Sequence, residues 1–143
     1  MKKLVFIMAL GFGISTAAIA QNDVPEQIKS SFSNSYSQAT DVEWDQKDDS
    51  YHAKFEVNNQ EHYAVYNEDG TLEKKGREIA PSELPQAVRT AIDQQYANRT
   101  IEKAGTVEKD GKTMYKAKLD GDDEDLKVIF NADGTVVKEK EKK

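Results

Sequence analysis

The segments Tyr66-Asn67-Glu68-Asp69-Gly70-Thr71-Leu72 and Phe130-Asn131-Ala132-Asp133-Gly134-Thr135-Val136 carry one pattern twice, 64 residues apart. Asn and Asp suit a type I turn, and the glycine after them takes a left-handed position that no other residue adopts as cheaply. Each segment therefore predicts a hairpin with a bulge, pairing Tyr66 with Leu72 and Phe130 with Val136. The hairpin before it can be registered too. With Asn58-Asn59 as a two-residue turn, Phe55 faces His62, Ala53 faces Ala64, and Tyr51 faces Tyr66. The second copy gives Leu119 with Leu126, Ala117 with Val128, and Tyr115 with Phe130. A slip of one residue would turn a strand's apolar side outward, so the pattern selects this register.

Working outward, the similarity extends to the start of each unit. Tyr51-His52-Ala53-Lys54-Phe55 returns as Tyr115-Lys116-Ala117-Lys118-Leu119, and Asn22-Asp23-Val24-Pro25 returns as Ser82-Glu83-Leu84-Pro85. Val24, Ile28, Phe32 and Tyr36 recur every four residues, as do Leu84, Val88, Ile92 and Tyr96; each set draws one apolar stripe on a helix. Asn22 and Ser82 stand at the expected N-caps. Pro25 and Pro85 are expected in the first turn, where a missing N–H costs nothing. A further strand is predicted around Val42 to Asp45, with a counterpart around Ala104 to Glu108. The predicted fold class is α+β: two tandem repeats, each a helix packed on a roughly four-stranded antiparallel sheet. Repeat one covers 22–79, repeat two 80–139, and 140–143 form a charged tail. Units of sixty residues bury little surface alone, so the two are expected to make one compact module.

Composition bounds the chemistry. The chain has 143 residues, no cysteine and two histidines. That excludes disulfides, thiol catalysis and cysteine-ligated metals. Residues 1–20 read as a cleaved signal peptide: Lys2 and Lys3, an apolar stretch from Leu4 to Ile14, then Ala18-Ile19-Ala20 as the small-x-small cleavage pattern. Gln21 is then the mature N-terminus, and the expected location is the periplasm or the outside of the cell. Losing Lys2 and Lys3 takes the net charge from −6 to −8. So acidic a chain argues against nucleic acid or an anionic membrane surface as partner. No insertion into a membrane is expected once the leader is cleaved.

The helix opening with Val-Pro or Leu-Pro, the Tyr-x-Ala-Lys strand and the Asp-Gly-Thr hairpin, all duplicated behind a leader, resemble the PepSY-like, beta-lactamase-inhibitor-like family over essentially the whole mature chain. The resemblance implies the fold of beta-lactamase inhibitor protein, with helical segments on one face of a four-stranded sheet, twice. It implies a periplasmic or secreted protein. It brings no catalytic residues to carry over and does not imply inhibition of a beta-lactamase.

The residues themselves offer little catalytic chemistry, and no enzyme activity, cofactor or metal site is predicted. His62 shares the inner side with Tyr51 and Phe55 while His52 points the other way, so the two do not converge on an ion. The acidic run Asp120 to Asp125 could bind calcium weakly through clustered carboxylates, but it lacks the spacing and terminal Glu of an EF-hand loop. Asp69 and Asp133 are turn residues. The outer sheet face is the better candidate. Tyr63, Val65, Ile129 and His52 fall on the side away from the helices, and exposed apolar surface there marks a place for a partner. The expected function is a non-enzymatic protein-binding module for an unknown protein partner, which could act as an inhibitor of a secreted hydrolase. The alternative is an envelope sensory or accessory module that binds a small ligand, an ion or a sensor-kinase ectodomain.

Overall fold

The computed structural model describes residues 17–20 and 23–142. Most of the predicted leader, Gln21, Asn22 and Lys143 lie outside the described residues. The elements run β1 (Ala17–Ile19), α1 (Glu26–Ser35), β2 (Thr40–Lys47), β3 (Ser50–Val57), β4 (Gln60–Asn67), β5 (Leu72–Ile79), α2 (Gln86–Gln95), β6 (Thr100–Lys109), β7 (Lys112–Asp120), β8 (Asp125–Asn131) and β9 (Val136–Lys142). All nine strands form one antiparallel sheet whose spatial order is the chain order.

This corrects the expected pair of separate four-stranded sheets. Helix followed by four strands does occur twice, but β5 pairs with β6 through Lys75–Glu108, Glu78–Gly105 and Ile79–Ala104. The physical reason lies in the edges. Two separate sheets would leave β5 and β6 with unpaired backbone donors and acceptors at the join, and pairing them satisfies both at once. The predicted tail is corrected as well. Strand β9 runs through Lys142, which pairs with Asp125, so residues 140–142 are part of the sheet. Ahead of the helices, Ala17–Ile19 pair with Gln46, Asp45 and Trp44 on the outer edge of β2.

The hairpin registers match the pattern residue by residue: Phe55–His62, Ala53–Ala64, Tyr51–Tyr66, Leu119–Leu126, Ala117–Val128 and Tyr115–Phe130. Asn58 and Asn59 both take positive φ, at 53° and 64°, as a two-residue hairpin turn requires. Gly70 and Gly134 sit at φ of 88° and 90°, followed by bulges that pair Tyr66 with Leu72 and Phe130 with Val136. Within each turn the aspartate closes the loop. Asp69 Oδ1 accepts from the Thr71 N–H at 2.9 Å and from its hydroxyl at 2.5 Å, and Asp133 does the same for Thr135 at 2.9 and 2.7 Å. These bonds hold both carboxyls below the usual range.

The helices begin later than the cap pattern suggests. Pro25 and Pro85 lie just outside α1 and α2 with ψ of 141° and 146°, and their carbonyls accept the first helical N–H bonds. Ser82 belongs to a short 3₁₀ turn, Pro81–Glu83, where the Glu83 carboxylate accepts the Ala80 N–H at 2.8 Å. A local side-chain bond at the turn thus competes with a Ser cap.

Both helices lie on the same side of the sheet. Val24, Ile28 and Phe32 pack with Trp44, Tyr51, Ala53, Phe55, Ala64 and Tyr66. Leu84, Val88, Ala91 and Ile92 pack with Ala104, Ala117, Leu119, Leu126, Val128 and Phe130. The first core is aromatic: Phe32 meets Trp44 and Phe55 edge-on, with ring centroids 5.3 and 4.9 Å apart. The second places Ile92, Ala104 and Leu119 where the first has Phe32, Trp44 and Phe55, and keeps Phe130 as an aromatic.

Candidate interaction face

The far side of the sheet carries the odd-numbered outward positions of β4, β6 and β8 and the even-numbered ones of β3 and β7. On it His52 stands opposite Val65, Tyr63 opposite Lys54 and Gly76, and Ile129 opposite Lys116. The four candidate residues therefore do share one face. Their exposure differs from expectation. Val65 is only 3% exposed, although it belongs to neither helix-packed core. Its cross-strand neighbours on that face are His52 and Lys74, both half-buried. A short side chain between two longer ones is shielded by them. Tyr63, Ile129 and His52 are each partly buried.

The centre of the face is a glycine. Gly76 has no side chain, so the Tyr63 ring lies across β5 and its hydroxyl donates to the Thr106 carbonyl on β6 at 3.4 Å. A Cβ on Gly76 would stand 2.5 Å from Tyr63 Cε1 and would overlap the Thr106 carbonyl oxygen. On the other side the Lys116 ammonium sits 4.8 Å from the Tyr63 ring centroid, within cation–π range. Tyr63 from β4 thus spans the β5–β6 seam and meets β7. Burial raises its hydroxyl pKa well above the ordinary tyrosine value. Lys116 is 8% exposed. Burial, with the charges of Lys74 and Lys127 nearby, lowers its pKa to about 7. His52 is lowered by burial and then by Lys74 and Lys47, against the opposing pull of Asp45 and Glu73.

Alternation along β7 marks Lys116 only as an outward-facing charge, and nothing in the repeat singles out Gly76. A glycine inside a predicted strand is nonetheless a signal that another chain segment approaches closely. His62 lies on the inner side as expected, and it stacks on Phe55 with centroids 5.7 Å apart.

At the outer end of β7 a second arrangement stands out. Lys118, 6% exposed, places its ammonium 3.0 Å from Glu102 and 3.1 Å from Asp125. Burial pulls its pKa down, but the bonds to these two carboxylates outweigh that and hold it charged. Asp120 joins the same cluster. So of the acidic run read as a weak calcium loop, Asp120 and Asp125 converge with Glu102, and a lysine supplies the cation among them. At the seam, an open cleft of about 460 Å³ between the β4–β5 and β6–β7 turns is lined by Lys74, Lys75, Lys109, Glu73, Glu108 and Asp110 among others. Two ion pairs cross it, Lys75–Glu108 at 3.5 Å and Lys109–Glu73 at 3.8 Å. Its charges are mixed.

The family model described as "Putative beta-lactamase-inhibitor-like, PepSY-like" matches residues 14–74 and 66–138. Similar solved structures come from Bacteroides. One, called "putative periplasmic proteins", is from Bacteroides eggerthii, with TM-score 0.76 and 16% identity over 82% of this chain and 88% of that one. A DUF2874 family protein from Bacteroides ovatus gives 0.73 and 22%, over 82% and 86%. A BLIP-like protein from Bacteroides fragilis gives 0.68 and 21%, over 82% and 85%. At these identities the likeness is one of fold. No curated protein matches the chain.

Proposed function

Since the chain belongs to the beta-lactamase-inhibitor-like, PepSY-like family, we propose that it is a non-enzymatic protein-binding module of the periplasm or the cell exterior, docking its partner on the sheet face opposite the helices. One observation carries this. Both helices cover one side of the sheet, which keeps β2 to β9 once residues 1–20 are removed, and among the described residues no helix packs on the other. That side presents Tyr63, His52, Ile129 and a field of lysines around them. A secreted hydrolase is the partner class that the family description suggests, and inhibition is the mode. Residues 1–20 serve as a cleaved export signal in this reading, and the two halves descend from a duplication.

The test is capture. The tagged protein, starting at Gln21, is incubated with its native envelope fraction, and bound proteins are identified by mass spectrometry. A stoichiometric partner is expected, lost on Ile129→Glu and kept on Arg89→Glu, which changes the helix side. Thermal melts establish that both variants are folded. A partner lost with the helix-side variant and kept with Ile129→Glu would move the site to the other face.

A further inference from the structure

Without residues 1–20 the sheet ends on two edge strands, β2 and β9, and they are built differently. From 138 to 142, β9 places a charge on both faces at every residue. Edges charged in this way resist pairing with another strand. Along β2, Glu43, Asp45 and Lys47 lie on the outer face, whereas Trp44 and Gln46 lie on the helix side. This stretch runs in regular register with β3. The strand's one irregularity, a shift between Thr40 and Glu43 with Asp41 at φ of 53°, comes before it. In the structure the edge is covered. Ala17–Ile19 lie on it as β1, opposite Gln46, Asp45 and Trp44. That strand falls wholly within the predicted leader. Cleavage after Ala20 removes it and leaves the outward backbone N–H and C=O groups of β2 without a partner strand, as a template for pairing with another chain.

Resting on the protein-binding reading above and its cleaved leader, we infer that the bared β2 edge receives an extended segment of the partner as an added antiparallel strand, and that this segment alternates basic and apolar residues. In such strand addition, main-chain bonds supply affinity and alternate side chains supply specificity. The chain's own residues 17–19 show that the edge accepts a strand in register. The added residue opposite Trp44 falls on the helix side, next to an indole that is 4% exposed and packs on Phe32. An apolar side chain suits that position, and the leader places Ile19 there. The residues opposite Glu43 and Asp45 fall on the outer face beside carboxylates, one exposed and one half-buried, and lysine or arginine suits them. The open stretch of five residues spans about 16 Å. It adjoins the docking face, because His52 stands opposite Asp45. A second copy of the chain fits less well. Two antiparallel β2 strands would bring Glu43 and Asp45 of one copy against the same acids of the other, and β9 of a second copy would bring Glu139 or Glu141 to the helix side, against Trp44.

The experiment uses the protein from Gln21 onward and, as probe, an eight-residue peptide alternating lysine and isoleucine, followed by amide NMR shifts and hydrogen exchange. Shifts and slowed exchange are expected along residues 43–47 of β2. Two adjacent prolines at the peptide's centre remove a donor toward β2 whichever way the strand faces, and should abolish binding. Glu43→Lys with Asp45→Lys should weaken binding about tenfold, and thermal melts establish that the variant is folded. Glu26→Lys with Asp93→Lys makes the same change of net charge on the exposed side of the helices and should leave binding unchanged. Absence of shifts on β2, or shifts centred on another strand, overturns the inference. So does equal binding of the proline peptide or of a peptide with its four lysines in one block, or undiminished binding by the β2 charge variant. A dimer of the protein that protects residues 43–47 without peptide overturns it by giving the edge to a second copy. Native protein whose mass retains Ala17–Ile19 overturns it too, because β1 then keeps the edge. The capture experiment separates the two readings. A partner lost from Ile129→Glu but retained by the β2 charge variant overturns strand addition and leaves the docking face standing. Peptide binding at β2 without any captured partner overturns the protein-binding module and leaves a strand-accepting edge.

Discussion

Replacing Lys116 by methionine should stabilise the protein. The lysine is 8% exposed, and its ammonium lies over Tyr63 beside two further lysines, so the folded state holds a charge away from water. Its pKa falls to about 7 from an ordinary 10.5. At about 1.36 kcal/mol per pH unit, that gap corresponds to roughly 5 kcal/mol against the charged folded form. The cation–π contact is lost with the charge and returns about 1–2 kcal/mol of this. Methionine keeps an unbranched stem of similar length in the same space. The net expectation is a gain of about 3–4 kcal/mol at pH 7. The pH dependence gives the sharper check. Because the folded pKa lies below the unfolded one, the unfolded chain holds more protons between pH 7 and 10.5, and wild-type stability rises with pH through that window. Lys116→Met has no proton to release there, so its advantage should shrink steadily from pH 7 toward pH 10. Urea unfolding followed by Trp44 fluorescence reads this directly, since Trp44 is the single tryptophan and is buried. An advantage that stays constant from pH 7 to 10, or a loss of stability at pH 7, would refute the reasoning: the ammonium would then be solvated.

Gly76→Ala should cost about 3 kcal/mol or more, because the new Cβ overlaps the Thr106 carbonyl and the Tyr63 ring; a melting temperature within a degree or two of wild type would mean that Tyr63 does not lie across the seam. Tyr66→Phe should be neutral or stabilising by about 1 kcal/mol, since the Tyr66 hydroxyl is buried with no hydrogen-bond partner among the described residues and its counterpart in the second half is Phe130; destabilisation in urea titrations would show that the hydroxyl is satisfied. Intact-mass analysis of protein recovered from envelope fractions should find Gln21 at the N-terminus, and a mass retaining Ala17–Ile19 would instead keep β1 as the cover of the β2 edge.

How far the sequence reveals this molecule depends on the range of the interaction involved. Turns and hairpins are local: Asn58-Asn59 and the two Asp-Gly-Thr segments set their own backbone angles, and the registers of Tyr51 with Tyr66 and Tyr115 with Phe130 follow by counting. The helix stripes are local as well. The continuous sheet is not. Whether β5 and β6 pair depends on two strands separated by α2, and neither strand carries a pattern that names its neighbour. The burial of Val65 and Lys116 is of the same kind. Each is shielded or crowded by residues from other strands, and alternation along its own strand marks only which face it is on.

Net charge misleads about this surface for the same reason. A value of −6 summed over the chain speaks against anionic partners, yet binding responds to the field at one face. In a β-strand, successive residues point to opposite sides, so Lys138-Glu139-Lys140-Glu141 is neutral as a sequence and polar as a surface. Antiparallel pairing then multiplies the effect. Once Lys127 pairs with Lys140 and Lys118 with Lys127, the register that buries Leu126, Val128 and Leu119 on the helix side necessarily stacks lysine upon lysine on the other. Core packing and the basic face are thus one constraint seen from two sides. A register slip that relieved the lysine row would expose the core, and the core outweighs the repulsion: burying one leucine side chain is worth about 1.5–3 kcal/mol, against about 0.2–1 kcal/mol for a cross-strand pair. The sheet keeps this register because it cannot give up the packing, and at Lys118 the carboxylates of Glu102 and Asp125 offset the like charges beside it.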